Sequence, residues 1–302
     1  MISSNSHRKA SDVLILGTVQ FGLNYGVANR QGKPDIGRVR EILHRAHGSG
    51  LRLLDTAAAY GESELVLGAC GTDGWEIITK VPSFAGLDDA EIGTRARESV
   101  LRSLDLLASG TLKAVLAHDR RDMMGERGQR LLDGLAPLKE EGLVGMVGVS
   151  VYQPEDLIGV NERGTQIVQA PFNVLDQRFV TSDKVLSTRA RGSELHVRSV
   201  FLQGLLLMAP QDRPARFARW APVLAQYDER VRDSGLEPAA FCLGFAARQA
   251  DIARCVIGVD TPEHLSQLIL AFEAGLAADI SAENLLCHED ALIDPRFWEC
   301  EA

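Results

Sequence analysis

Short apolar runs, many rich in β-branched residues, recur along the chain. They are Val13–Leu16, Arg52–Leu54, Glu76–Thr79, Ala114–Ala117, Met146–Val149, Ile167–Gln169, His196–Phe201 and Cys255–Ile257. Near-continuous apolarity of this length suits strands buried on both faces. Between the runs the spacing turns helical. Val39, Ile42, Leu43 and Ala46 share one face, and so do Ala96, Val100, Leu104 and Leu107. Leu131–Lys139, Thr181–Ala190 and Glu237–Gln249 read as further helices. Pro154 and Pro262 stand where a helix would open after the fifth and eighth strands. Gly48, Gly50, Gly142 and Gly145 supply stops. Eight strand–helix alternations predict an α/β fold, a single-domain (β/α)8 TIM barrel over residues 12–302. Residues 1–11 are expected to form a flexible tail. Leu276–Ala302 has no strand left to pair and is expected to lie across one barrel end.

With 302 residues, 45% of them hydrophobic, the chain can bury one large core. Its net charge of −9 argues against a sequence-independent nucleic-acid surface, which needs clustered Lys and Arg. No apolar run reaches the ~20 residues of a membrane helix. The polar N-terminal segment lacks the apolar middle of a signal peptide. Five scattered cysteines without a C-x-x-C pair fit reduced thiols, so a cytoplasmic location is expected. No metal is expected. Cys287 and His288 are adjacent, which does not suit one ion, and His44 and His47 lie on a helix outside the barrel.

Polar groups close several of the strands. Asp55 ends the second, Lys80 the third and His118 the fourth, and Tyr60 lies in the loop beyond the second. In a parallel barrel these strand ends converge on one mouth. A phenol is a poor acid near neutrality, with an unperturbed pKa of ~10. An ammonium beside it stabilises the phenolate, a carboxylate fixes the ammonium, and a histidine can donate to a carbonyl oxygen. Such a set suits protonation of an oxyanion as it forms, which a carbonyl accepting hydride needs. These side chains offer no hydride, so a nicotinamide cofactor is implied.

The chain resembles the aldo-keto reductase superfamily from about Leu14 to Leu270. The matching pieces are Gly17-Thr18 with Phe21-Gly22, Asp55-Thr56-Ala57 through Tyr60-Gly61, Ser63-Glu64, Leu67-Gly68, Thr79-Lys80, Leu116-Ala117-His118, Gly148-Val149-Ser150, Gln169 to Asn173, Gln203-Gly204-Leu205-Leu206 and Val256-Ile257-Gly258. The resemblance implies a catalytic tetrad of Asp55, Tyr60, Lys80 and His118, with Tyr60 as proton donor. It implies that Ser150 and Gln169 hydrogen-bond the nicotinamide amide and that Asp55 also touches the ribose. Gly17, Thr18, Arg198, Gln203, Gly204, Gly258 and His264 are the other positions expected to meet the cofactor.

Two departures stand out. Many members place an aromatic residue where Arg198 stands. After the eighth strand, where the family often carries basic and polar residues for the NADPH 2′-phosphate, this chain has Asp260, His264, Gln267 and Leu268. NADPH is the cofactor the resemblance implies, and Asp260 leaves NADH open. Asn24 and Tyr25 are the candidate substrate contacts, and Arg178 and Arg198 add polarity to the mouth. Arg213, Arg216 and Arg219 either reach the pyrophosphate or form a solvated helix face. The expected activity is NAD(P)H-dependent reduction of an aldehyde or ketone, and the polar mouth points to a hydroxylated or sugar-like carbonyl. The alternatives are a redox-neutral epimerase with retained nicotinamide, or a cofactor-sensing barrel without turnover.

Overall fold

A computed structural model of the protein describes residues 8–160 and 165–298. Strands β1 (Leu14–Gly17), β2 (Leu53–Asp55), β3 (Glu76–Val81), β4 (Leu112–Ala117), β5 (Val144–Ser150), β6 (Ile167–Pro171), β7 (Glu194–Arg198) and β8 (Arg254–Gly258) pair in chain order. All pairings are parallel, and β8 closes on β1. The barrel is therefore the (β/α)8 architecture that the alternation predicts.

Among the described residues eight longer helices surround it: α1 (Ile36–Gly48), α2 (Ser63–Cys70), α3 (Asp89–Leu106), α4 (Gly125–Glu140), α5 (Asp183–Ala190), α6 (Ala221–Ser234), α7 (Pro238–Ala247) and α8 (Pro262–Ala277). Their starts follow local chemistry. Asp35 accepts from the Arg38 N–H at the head of α1, Asp88 from the Ala90 N–H at α3, and Thr261 from the His264 N–H at α8. Among the described residues, no helix is long and apolar enough to cross a membrane.

Three expectations need correction. The seventh strand stops at Arg198, not Phe201. Ser199, Leu202 and Gln203 take φ values of 60°, 48° and 53°, which no strand can hold. Pro154 opens only a single 3-10 turn, Pro154–Leu157, because the Asp156 carboxylate accepts from the Tyr152 and Gln153 N–H groups and closes it. The N-terminal segment is also held further out than expected. Ala10–Val13 form a helical turn with Ala10 and Val13 buried. Arg8 donates to the carbonyls of Ala247 and Ile252 at 2.7 Å each. Residues 1–7 of the expected tail lie outside the described residues.

The C-terminal segment packs on the barrel's C-terminal end. Cys287 N–H donates to the Leu175 carbonyl at 2.8 Å, and Trp220 Nε1–H to Glu289 at 2.7 Å. Trp298 lies edge-on to Phe217, with ring centroids 4.8 Å apart. Arg178, expected at the mouth, instead ties this segment down by pairing with buried Asp176 and with Asp290, each at 2.8 Å. Residues 299–302, with Cys300, lie outside the described residues. The other four cysteines are free thiols.

Candidate active site

Strand parity builds the site. Ile15, Leu53, Ile78, Ala114, Leu116 and Ile167 form a small apolar cluster apart from the main core, with Met146 and Val256 against it. Side chains alternate along a strand, so residues two positions on share the face of these. Two positions after Ile15, Leu53, Ile78, Leu116, Ile167 and Val256 stand Gly17, Asp55, Lys80, His118, Gln169 and Gly258. An apolar layer thus floors a polar one at the C-terminal ends of the strands.

In that layer the Lys80 ammonium donates to Asp55 Oδ1 at 2.7 Å and to the Thr56 carbonyl at 2.8 Å. Gln169 Nε2–H donates to Asp55 Oδ2 at 2.6 Å. Lys80 Nζ lies 4.9 Å from the Tyr60 ring centroid, and the His118 ring stands edge-on to Tyr60 at 5.9 Å. Burial opposes the charge on Lys80, but the Asp55 carboxylate and Tyr60 outweigh it and hold the lysine above its usual range. His118 is pushed down to about 4 by burial and by the positive charges of Lys80 and Arg198, so it is neutral at pH 7.

The loop carrying Tyr60 is fixed by two glycines. A Cβ on Gly22 would fall 1.8 Å from the Tyr60 carbonyl oxygen, and one on Gly61, at φ 57°, would fall 2.6 Å from the Gly22 carbonyl oxygen. Only glycine admits this backbone contact. Below it, Thr18 and Ser63 form a closed hydroxyl network. The Thr18 hydroxyl donates to the Asp55 carbonyl, and Ser63 Oγ–H lies 2.9 Å from both Thr18 oxygens. The Thr18 side chain thereby ties β1 to β2.

Two clefts open from this layer. One is lined by Asp55, Tyr60, Gly17, Arg198, Gly258, Asp260 and His264, among others. It is roofed. The segment Tyr25–Asn29 crosses to the loop after β7, where the Val27 N–H donates to the Gln203 carbonyl at 3.0 Å. Gly204, at φ 92°, sits so close to Ala28 that an added Cβ would come within 2.8 Å of the alanine's own. The roof leaves a cavity of about 150 Å³, below the ~300–1,000 Å³ of most small-molecule sites. The other cleft, about 520 Å³, lies beside His118 and is lined by Ser83, Arg120, Ser150, Tyr152, Asp156 and Arg296, among others. Its arginines are paired: Arg120 with Asp156 at 2.9 Å, and Arg296 with Asp294.

A sequence profile of the Aldo/keto reductase family matches residues 13–283. The chain belongs to that family. No protein of curated function matches it in sequence. Among solved structures, this aldo/keto reductase is similar to a Pseudomonas aeruginosa protein named as a candidate aldo-keto reductase. That likeness has 23% identity, covers 91% of this chain and 94% of the other, and has a TM-score of 0.64. It is also similar to the glycerol dehydrogenase of Gluconobacter oxydans, at 19% identity, covering 93% and 92%, with a TM-score of 0.68. Both likenesses concern the fold.

Most of the expected positions converge in this aldo/keto reductase. Asp55, Tyr60, Lys80, His118 and Gln169 meet in one layer, while Gly17, Thr18, Tyr25, Arg198, Gln203, Gly204, Gly258 and His264 line the roofed cleft. Ser150 faces the second cleft, beside His118. Asn24 does not join them. It is exposed and lines neither cleft, because the chain turns outward at Leu23 and Asn24 before Tyr25 turns back in. None of Arg213, Arg216 and Arg219 lines the roofed cleft. Arg213 pairs with Asp228 at 2.7 Å, and Arg219 lies over the Trp220 ring. Arg198 packs on Tyr152 at 4.3 Å and donates to the Val151 carbonyl, and Arg296 covers the same ring at 3.6 Å. Tyr152 and Arg296 were not anticipated. Tyr152 lies two positions past Ser150, so parity could have suggested it. Arg296 comes from the C-terminal segment, where no strand period reaches. Among the described residues no His, Cys, Asp and Glu cluster could hold a metal.

Proposed function

We propose that this aldo/keto reductase reduces an aldehyde or ketone at the mouth, with Asp55, Tyr60, Lys80 and His118 as its catalytic residues. The observation that carries the reading is the joint placement of a buried, charged Lys80–Asp55 pair with the half-buried Tyr60 phenol and a neutral, half-buried His118 in one layer beneath two clefts. A nicotinamide dinucleotide in the roofed cleft supplies the hydride that no side chain can. The residues present fit such a group. Gln169 Oε1 is buried with no partner while its amide nitrogen is held by Asp55, so it offers an acceptor to a carboxamide N–H. Tyr60 delivers the proton to the substrate oxygen. Lys80 stabilises the phenolate left behind, and Asp55 and Thr56 hold Lys80 in place. His118, being neutral, donates an N–H to the same oxygen and orients it. The paired charges and hydroxyls of the second cleft favour a polar, hydroxylated carbonyl over a steroid-like one.

Tyr60→Phe tests the assignment. It should leave dinucleotide affinity unchanged and lower turnover by about 100- to 10,000-fold, the usual worth of a positioned proton donor. Near-normal turnover would remove Tyr60 from the role.

The roof favours a second reading, a redox-neutral reaction with retained cofactor. The cleft of about 150 Å³ must widen to admit a dinucleotide, and Tyr25–Asn29 closing back on Gln203 and Gly204 would then hold it. Cofactor that co-purifies and is not consumed during turnover would support this reading.

A further inference from the structure

The roofed cleft is lined from both sides of β1. Asp55 ends β2 and Tyr60 follows it, and Asp260 and His264 follow β8. On the reading proposed above, the nicotinamide lies at Tyr60, so the adenosine half points toward Asp260. Two buried oxygen acceptors there have no partner, Gln20 Oε1 and Asp260 Oδ1. The Gln20 amide lies flat over Gly258, where a Cβ would fall 2.4 Å from Gln20 Oε1. Burial pushes the Asp260 carboxyl up, and His264 and Gln20 only partly draw it back.

This end lacks what an anion needs. Among the described lining residues Arg198 is the only Lys or Arg, and it is turned to Tyr152 and the Val151 carbonyl. Burial pushes His264 down, with Asp260 opposing it, which disfavours a positive charge there. The start of α8 would ordinarily attract a phosphate. Here that end is poor in free donors, because Thr261 Oγ1 accepts the His264 N–H at 3.0 Å and Pro262 has no N–H. A site that offers acceptors and a carboxylate matches a partner carrying hydroxyl donors and repels a dianion.

We propose that Asp260 and Gln20 select NAD(H) over NADP(H), by accepting from the vicinal hydroxyls of the adenosine ribose and by excluding a 2′-phosphate. This assignment rests on the dinucleotide reading of the roofed cleft and names its cofactor.

Equilibrium binding to the full chain tests it without turnover. The probes are NADH and NADPH, followed by tryptophan fluorescence quenching, and ADP-ribose with its 2′-phosphate by calorimetry. The wild-type protein should bind NADH at least about tenfold more tightly than NADPH, and ADP-ribose more tightly than its 2′-phosphate, since the phosphate adds repulsion and leaves acceptors unpaired. Asp260→Asn, which keeps the shape and one acceptor, should strengthen NADPH binding with little change for NADH. Asp260→Ser should strengthen NADPH and weaken NADH, and Gln20→Ala should weaken NADH alone. NADPH binding as tight as NADH in the wild type, or a ratio unmoved by either Asp260 variant, would overturn the assignment while leaving the reductase reading intact. Failure of the folded protein to bind either dinucleotide would overturn both.

Discussion

Lys80→Met tests the electrostatic core of the site. Lys80 and Asp55 are 1% and 2% exposed, and the ammonium lies 2.7 Å from the carboxylate and 4.9 Å from the Tyr60 ring. A unit charge at that ring distance, with an effective dielectric of ~20, stabilises charge developing on the phenolate by about 3.4 kcal/mol. At 1.36 kcal/mol per decade, losing it slows proton delivery about 300-fold. The same substitution leaves the Asp55 carboxylate buried with Gln169 as its side-chain partner. Breaking a buried pair from one side costs about 3–5 kcal/mol of stability. The two losses separate in a second variant. Asp55→Asn in the Lys80→Met background removes the orphaned charge and keeps an acceptor for Gln169. It should recover most of the stability and none of the rate. Urea melts report the first quantity, and single-turnover decay of reduced-nicotinamide absorbance at saturating cofactor reports the second. A folded Lys80→Met protein that turns over within about threefold of wild type would refute the argument, because the Coulomb term would then be far below its expected size.

Three further outcomes follow from the geometry. His118 is held at about 4, below the 6.5 it has when unfolded, so its contribution is complete above about pH 6.5 and is lost as pH falls toward 4, by up to about 3 kcal/mol. His118→Asn should flatten that limb of the stability–pH curve, and an unchanged slope would count against it. Tyr25→Ala should loosen the roof and speed dinucleotide release about tenfold or more, read by stopped-flow fluorescence, since affinity changes fall mainly in off-rates. Arg296→Ala uncovers one face of Tyr152 and should raise the substrate KM about threefold to tenfold with dinucleotide affinity unchanged.

Much of the barrel was legible because its strands are buried on both faces. Ile77, Ile78, Val115, Leu116, Val147 and Val149 all read as apolar, and the observed strands overlap every expected run. Helices α1 and α3 were legible for the converse reason, since their outer faces are charged. Helix α6 was missed. Its buried stripe is only Leu224, Tyr227 and Val231, set among Asp228, Glu229, Arg230 and Arg232. The end of β7 was misjudged because Val200 and Phe201 continue the apolar pattern. The left-handed turn at Ser199 has no local signature, as serine ordinarily avoids that conformation. The contacts made by Arg178 and Arg296 were invisible because each depends on where the C-terminal segment docks.

The polar layer was legible for a physical reason that also bears on what it does. A closed barrel forces every second residue of each strand inward, so a charge one step past the last inward apolar residue must stand on a dry floor. Asp55 over Leu53 and Lys80 over Ile78 obey this parity on adjacent strands, and the paired register of β2 and β3 brings them within hydrogen-bond distance. An isolated lysine there would lose its charge to burial. The Asp55 carboxylate, which meets Lys80 from the next strand and Gln169 from β6 on the opposite side of the barrel, is therefore what keeps a cation in a water-poor layer. Asp260 obeys the opposite logic. It lies two residues beyond the barrel, in a loop, with no Lys or Arg paired to it among the described residues. The first carboxylate is matched within the fold and holds a lysine. The second keeps an unmatched oxygen, and on the present reading a ribose hydroxyl completes it.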